Sequence, residues 1–116
     1  MLGAAIMFTL TALGGAAVAS FPIRKIPRPP TWLALGHGAV AIASFAVLAY
    51  SFTTSTTTQL EQLAAAVLAL AAVGGLTLFL GFHLRGKALP LLFVVGHGIL
   101  AISGLALLWF SVARGL

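Results

Sequence analysis

The chain has 116 residues, of which 61% are hydrophobic and 6% are charged, and six basic residues against one acid give it a net charge of +5. A soluble domain of this length carries roughly a quarter charged residues, so the composition excludes an ordinary soluble enzyme and indicates a membrane protein. The absence of cysteine excludes disulfides, thiolate metal sites and haem attached through Cys-x-x-Cys-His.

Four apolar segments follow one another along the chain, and each is long enough for a spanning helix, which needs about 20 residues. A connection rich in proline and basic residues is predicted at 21–31, and an uncharged Ser/Thr-rich connection at 51–59. Glu61 falls in the first turn of the third segment, where an anion suits the positive end of the helix dipole. The spans are predicted at about 2–20, 31–50, 60–82 and 90–112.

Five of the six basic residues lie in the two connections that join the first span to the second and the third to the fourth. The positive-inside rule places these loops in the cytoplasm and both termini outside, with the protein in the cell (inner) membrane. Because the basic residues lie between apolar segments, we expect a lipid bilayer and no nucleic acid as the partner. The five residues are Arg24, Lys25, Arg28, Arg85 and Lys87.

One sequence pattern occurs twice. Gly36-His37-Gly38 returns 60 positions later as Gly96-His97-Gly98, and the same offset carries Gly14-Gly15 onto Gly74-Gly75 and Pro30 onto Pro90. Each unit contains two spans, so the copies are parallel repeats related by an axis along the membrane normal. The predicted fold is all-α: one integral membrane four-helix bundle over 1–116, built from two parallel two-helix repeats at 1–56 and 61–116.

The two repeated histidines are the candidate ligands. His37 and His97 each lie seven residues after a proline that begins a helix, so both are expected about 10 Å from the cytoplasmic helix ends. In a four-helix bundle, side chains on facing helices form cofactor sites in the core. We interpret the pair as axial ligands of one haem, with nearby glycines allowing close backbone approach. The predicted cofactor-binding glycines are Gly14, Gly15, Gly38, Gly74, Gly75 and Gly98.

Haem propionates are anions and need cations or water as partners. Arg24, Arg28 and Arg85 are predicted to be the cations, with Lys87 and the indole of Trp32 nearby. The third histidine, His83, is expected at a helix end as an interfacial or loop residue, where it could line a quinone pocket. Four aromatic residues near span ends are predicted as interfacial anchors. They are Trp32, Tyr50, Trp109 and Phe110.

This arrangement resembles the haem-binding four-helix core of the cytochrome b family in quinol-oxidising complexes. In that family, histidines on the second and fourth helices ligate haem and glycines on the first and third pack against it. The resemblance implies His37 and His97 as axial iron ligands, and Gly14, Gly15, Gly74 and Gly75 as haem-packing positions. Family members carry two histidines on each ligand helix and hold two haems, so this chain implies a single non-covalent haem b. A looser similarity is to the haem-bearing membrane anchors of succinate dehydrogenase.

The predicted function is electron transfer through one bis-histidine haem, as a subunit or anchor of a larger redox complex rather than as a self-sufficient enzyme. Other redox subunits, quinone or a second copy of the chain are the candidate partners. One alternative is a cofactor-free hydrophobic subunit in which the glycines pack helices and the histidines bond across them. A small transporter is a weaker alternative, because the first span has no acid.

Overall fold

The computed structural model describes residues 1–115 and consists of four long helices, with no strand in that range. Each helix is long and apolar enough to span a membrane, so the predicted all-α four-helix class is confirmed. The third helix continues directly into a π-helical turn, Phe79–His83. The helices are α1 (Leu2–Ile23), α2 (Thr31–Thr54), α3 (Gln59–Leu78) and α4 (Leu91–Arg114).

The first helix extends three residues beyond its predicted end and contains Pro22 in its last turn. A proline removes one backbone donor and disturbs the preceding turn, which costs least where the helix is already ending. The chain leaves α1 at Lys25, which adopts a left-handed φ of 63°, and the Ile26 N–H then donates to the Phe21 carbonyl. The proline-rich connection is therefore shorter than predicted.

The helices pack as two hairpins, α1 with α2 and α3 with α4, and the hairpins meet mainly where α1 contacts α4. Within residues 1–115, α2 and α3 do not pack along their lengths. The bundle measures 44 × 20 × 19 Å. Its long dimension matches a bilayer with its headgroup regions, which is about 40–45 Å thick.

The surface of the bundle is more apolar than a soluble protein tolerates, while many of its buried residues are small. Ile42 is 75% exposed and Leu92 is 80% exposed, whereas Ala4, Ala64 and Ser44 are fully buried. Small residues between helices and large apolar residues outside are typical of helices that pack within hydrocarbon. The buried core cluster contains residues from all four helices: Ala4, Ala5, Phe8, Leu48, Ala64, Leu68 and Leu108.

The N-terminus of α3 is closed by a capping box, and Glu61 lies in its first turn as predicted. The Thr58 hydroxyl accepts from the Glu61 backbone N–H, and the Glu61 carboxylate accepts from the Thr58 N–H at 2.9 Å. The other carboxylate oxygen accepts from the Ser111 hydroxyl at 2.9 Å. Glu61 therefore fastens the start of α3 to the end of α4.

The sequence repeat is also a repeat of packing. Residues separated by 60 positions are buried in pairs, although their identities often differ. The same positions thus face inward in both hairpins, and half of the six pairs have the same residue in both copies. The buried pairs are Ala4 and Ala64, Phe8 and Leu68, Thr11 and Ala71, Ser44 and Gly104, Leu48 and Leu108, and Ser51 and Ser111.

Candidate histidine-pair site

The two repeated histidines lie side by side in the bundle. The ring centroids of His37 on α2 and His97 on α4 are 6.3 Å apart, and the ring planes are nearly perpendicular, at 84°. Both side chains are partly buried. The expectation that two facing helices bring one imidazole each to a common place therefore describes the geometry correctly.

Each histidine is held by the helix that precedes it in the chain. Nδ1 of His37 donates to the carbonyl of Thr11 at 3.0 Å, and Nδ1 of His97 donates to the carbonyl of Ala71 at 2.7 Å. Thr11 and Ala71 are themselves equivalent positions of the repeat, 60 residues apart. The same bond thus fixes each ring in its own hairpin.

These bonds determine which ring nitrogen remains available. A carbonyl oxygen can only accept, so Nδ1 must carry the hydrogen, and in the neutral ring Nε2 then keeps its lone pair. No hydrogen bond to Nε2 of either His37 or His97 is found within residues 1–115. An imidazole whose Nδ1–H is held by a backbone carbonyl is the usual arrangement of a histidine that binds metal through Nε2.

The glycine pairs make room for the imidazoles. A Cβ added to Gly15 would lie 3.0 Å from Cε1 of His37, and one added to Gly75 would lie 3.0 Å from Cε1 of His97. Gly14 and Gly74 face the same rings at 3.6 and 3.8 Å. The structure therefore gives the four predicted glycines a contact that the sequence reasoning did not name, with a histidine ring of the same hairpin.

The glycines that flank the histidines behave differently. An added Cβ at Gly38 or Gly98 would meet nothing within 4 Å, and the same holds for Gly36 and Gly96. Their lack of a side chain is not required by packing inside the described residues. These positions leave smooth backbone surface on α2 and α4 around each histidine.

A recess of about 240 Å³ lies against His37 between α1 and α2. Gly14 and Gly36 form part of its wall, and apolar side chains such as Leu33 and Val40 form the rest. Small-molecule pockets generally measure about 300–1,000 Å³, so this recess could admit only part of a macrocycle. A ring of haem size would require α2 and its neighbours to move apart.

The three arginines predicted to be near propionates lie outside the helices, in the two basic connections, and they have different surroundings. Arg24 donates to the Ser20 carbonyl at 3.1 Å and lies 4.9 Å above the ring of Phe21. Arg28 donates to the carbonyl of His83 at 3.1 Å. Arg85 is exposed.

His83 is at the end of the π-helical turn, as predicted for a helix-end residue, but it is only 4% exposed. Its ring stacks on Phe79 with centroids 5.3 Å apart, and its Nε2 is hydrogen-bonded to the hydroxyl of Thr31 at 3.0 Å. It belongs to the contact between the two basic connections and α2, and it is separate from the pair formed by His37 and His97.

Comparison with family models, with curated proteins and with solved structures finds no match to this chain. Within residues 1–115, no group of three or more His, Cys, Asp or Glu side chains could hold a metal ion. A bis-histidine haem needs only two protein ligands, because the macrocycle supplies the other four.

Proposed function

We propose that this chain is a membrane-embedded b-type cytochrome that transfers electrons through one haem held by His37 and His97. The observation that carries the proposal is the 6.3 Å separation of the ring centroids. Two metal–nitrogen bonds of about 2 Å, plus roughly 1 Å from each nitrogen to its ring centre, give a separation of about 6 Å for imidazoles on opposite sides of one metal. The separation of the two rings therefore supports the assignment of both histidines as ligands of one metal.

The second support is that each imidazole is already oriented. The carbonyls of Thr11 and Ala71 hold Nδ1–H, so the ring cannot rotate freely and Nε2 is the nitrogen left for a metal. Such outer bonds also raise the basicity of a ligating imidazole. Gly15 and Gly75 allow the rings to lie directly against the neighbouring helix.

The haem, when bound, would supply a one-electron redox couple. Histidines at both axial positions leave no open site on iron, so ligands such as oxygen would be excluded. Under this proposal, the chain holds the two imidazoles in place, and its apolar side chains keep water away from the haem. Its electrons would be exchanged with another redox subunit or with quinone.

Membrane insertion is part of the same proposal. Four apolar helices, a length of 44 Å and exposed side chains such as Leu92 support it. The positive-inside rule then favours the cell (inner) membrane, with the two basic connections in the cytoplasm and both termini outside.

One set of contacts favours a second candidate, a cofactor-free subunit that stabilises a membrane complex. The bonds to the carbonyls of Thr11 and Ala71 and the glycine contacts would by themselves explain two partly buried histidines as ties between helices. Hydrogen bonds of this kind between membrane helices contribute about 1 kcal/mol. Pigment content separates the two candidates.

The test is a reduced-minus-oxidised absorption spectrum of the detergent-purified protein, with a pyridine haemochrome assay for stoichiometry. We expect sharp α and β bands with one haem b per chain, and loss of haem in His37→Ala and His97→Ala. His83→Ala is the matched control, because it removes the remaining histidine and should keep full haem content. A colourless wild type after expression with ample haem would favour the cofactor-free subunit, and full haem in either ligand variant would refute the assignment.

A further inference from the structure

A second recess lies at the basic end of the bundle, away from the histidine pair. Its volume is about 450 Å³, and it lies where the first basic connection meets the beginning of α2 and the end of the π-helical turn. Three polar residues line it, namely Arg28, Thr31 and His83. Apolar residues including Phe21, Ile26 and Pro27 form the rest of the wall.

The polar residues of this recess are joined to one another. Nε2 of His83 is hydrogen-bonded to the Thr31 hydroxyl at 3.0 Å, and Nη1 of Arg28 donates to the His83 carbonyl at 3.1 Å. The Leu89 N–H donates to the Pro27 carbonyl at 3.1 Å and ties the two basic connections together. Nδ1 of His83 is buried and has no partner within residues 1–115. The recess is therefore built from elements that are fixed to one another.

Comparison of the two repeats shows that these polar groups are not part of the repeated pattern. At the offset of 60 residues, Arg28 corresponds to Ala88, Thr31 to Leu91 and His83 to Ile23. Each of the three thus has an apolar counterpart, although Arg28 and Thr31 belong to the first copy and His83 to the second. Three polar residues from both copies converge on one recess, and this convergence favours a ligand at this end of the bundle.

The charge at the basic end of the bundle indicates the chemical class of the ligand. Five of the six basic residues lie in the two connections here, and Glu61, the one acid, begins α3 at the opposite end. The start of α2 lies in the recess with Pro30 at its N-cap, so its first backbone N–H groups lack partners within the helix and carry partial positive charge. An anion is the ligand that suits both features.

We propose that this recess binds the phosphate of an anionic phospholipid headgroup. The guanidinium of Arg28 and the hydroxyl of Thr31 would contact the phosphate oxygens, and Phe21 and Ile26 would pack against the glycerol and first acyl carbons. A lipid suits the site better than a free anion, because the apolar walls lie at the end of helices that are long enough to span a membrane. Basic pockets between helices on the cytoplasmic side of membranes are known to bind such headgroups. The proposal does not depend on haem.

The test is native mass spectrometry of the purified chain, titrated in detergent with phosphatidylglycerol or phosphatidylcholine. We expect a retained phosphatidylglycerol adduct on the wild type and a much weaker phosphatidylcholine adduct. Arg28→Gln should weaken phosphatidylglycerol binding by about tenfold or more, since it removes a charge-assisted hydrogen bond. Arg85→Gln is the control with the same change in net charge, and it should weaken binding by about fivefold at most.

Thr31→Val keeps every charge and should also weaken the adduct, which separates a built site from diffuse attraction, provided that circular dichroism shows unchanged helix content in each variant. Equal losses in Arg28→Gln and Arg85→Gln would overturn the proposal in favour of general surface charge. Full displacement of the lipid by excess inorganic phosphate would instead identify a free-anion site and overturn the choice of lipid.

Discussion

The ring of His37 lies so close to Gly15 that a Cβ at position 15 would be 3.0 Å from Cε1 of the imidazole. Gly75 and His97 repeat the contact at the same distance. The ring cannot withdraw easily, because its Nδ1 is bonded to the Thr11 carbonyl. The glycine thus determines how near α1 and α2 approach at the level of the histidines.

Gly15→Ala should therefore displace the imidazole by a few tenths of an ångström and lower stability. Overpacking costs about 1–3 kcal/mol, offset by the better helix propensity of alanine, which is about 1 kcal/mol. Gly36→Ala is the matched control, since its Cβ would meet nothing within 4 Å and the variant gains only the propensity. Thermal unfolding followed by circular dichroism should rank Gly36→Ala above Gly15→Ala. The reverse order would show that the contact with His37 is not tight.

A second close approach occurs at Gly104, where a Cβ would lie 2.7 Å from Cγ of Leu68 and 3.2 Å from its backbone nitrogen. The nearby backbone restricts relief, so Gly104→Ala should reduce the free energy of unfolding by about 1–3 kcal/mol. Gly98→Ala on the same helix faces open space and serves as the control. Thermal unfolding of the two variants should give a lower melting temperature for Gly104→Ala. Equal melting temperatures would contradict the packing of α3 on α4 described above.

Glu61 offers a test of the link between α3 and α4. Glu61→Ala removes the side-chain half of the capping box, which accepts from the Thr58 N–H, and leaves the buried Ser111 hydroxyl without its acceptor. We expect a loss of about 1–3 kcal/mol from these two effects. Glu61→Gln should be milder, because one amide oxygen can still accept from Ser111. Gln59→Ala, an exposed change in the same turn, is the control, and it should leave the melting temperature nearly unchanged.

The number of helices, the repeat and the pairing of His37 with His97 could all be predicted from the sequence. Each long apolar segment predicts one helix, and the constant offset between the repeated motifs predicts the repeat. Two histidines at matched depth on alternate helices are expected to face one another. The C-terminal end of α1 was less predictable, because Pro22 is a helix-breaking residue that the last turn can tolerate. Whether the last turn of a helix tolerates proline depends on the local backbone geometry, which the pattern of apolar residues does not specify.

Two features of the sites lay beyond sequence reasoning. The histidines are hydrogen-bonded to backbone carbonyls. Every residue has a backbone carbonyl, so the sequence could not single out Thr11 and Ala71. The contact of His83 with Thr31 joins residues 52 positions apart and requires the two basic connections to meet. The sequence signal at these positions is that Arg28, Thr31 and His83 each have an apolar counterpart at the offset of 60 residues.

The differing residues of the two hairpins allow a final prediction. The hydroxyl of Thr11 is hydrogen-bonded to that of Ser44 at 2.8 Å, whereas the equivalent positions are Ala71 and Gly104. The double variant Thr11→Ala with Ser44→Ala removes both hydroxyls and leaves no unpaired side-chain group, so its effect on stability should be small, about 1 kcal/mol.

The same variant should retain haem, because His37 is held by the backbone carbonyl of Thr11 and not by its side chain. Haem content by pyridine haemochrome is expected to equal that of the wild type, with unchanged α-band position. Loss of haem comparable to that in His37→Ala would mean that the hydroxyl pair positions the ligand. The carbonyl bond would then be insufficient to orient the ring in the first hairpin, although the second hairpin manages with alanine at the equivalent position.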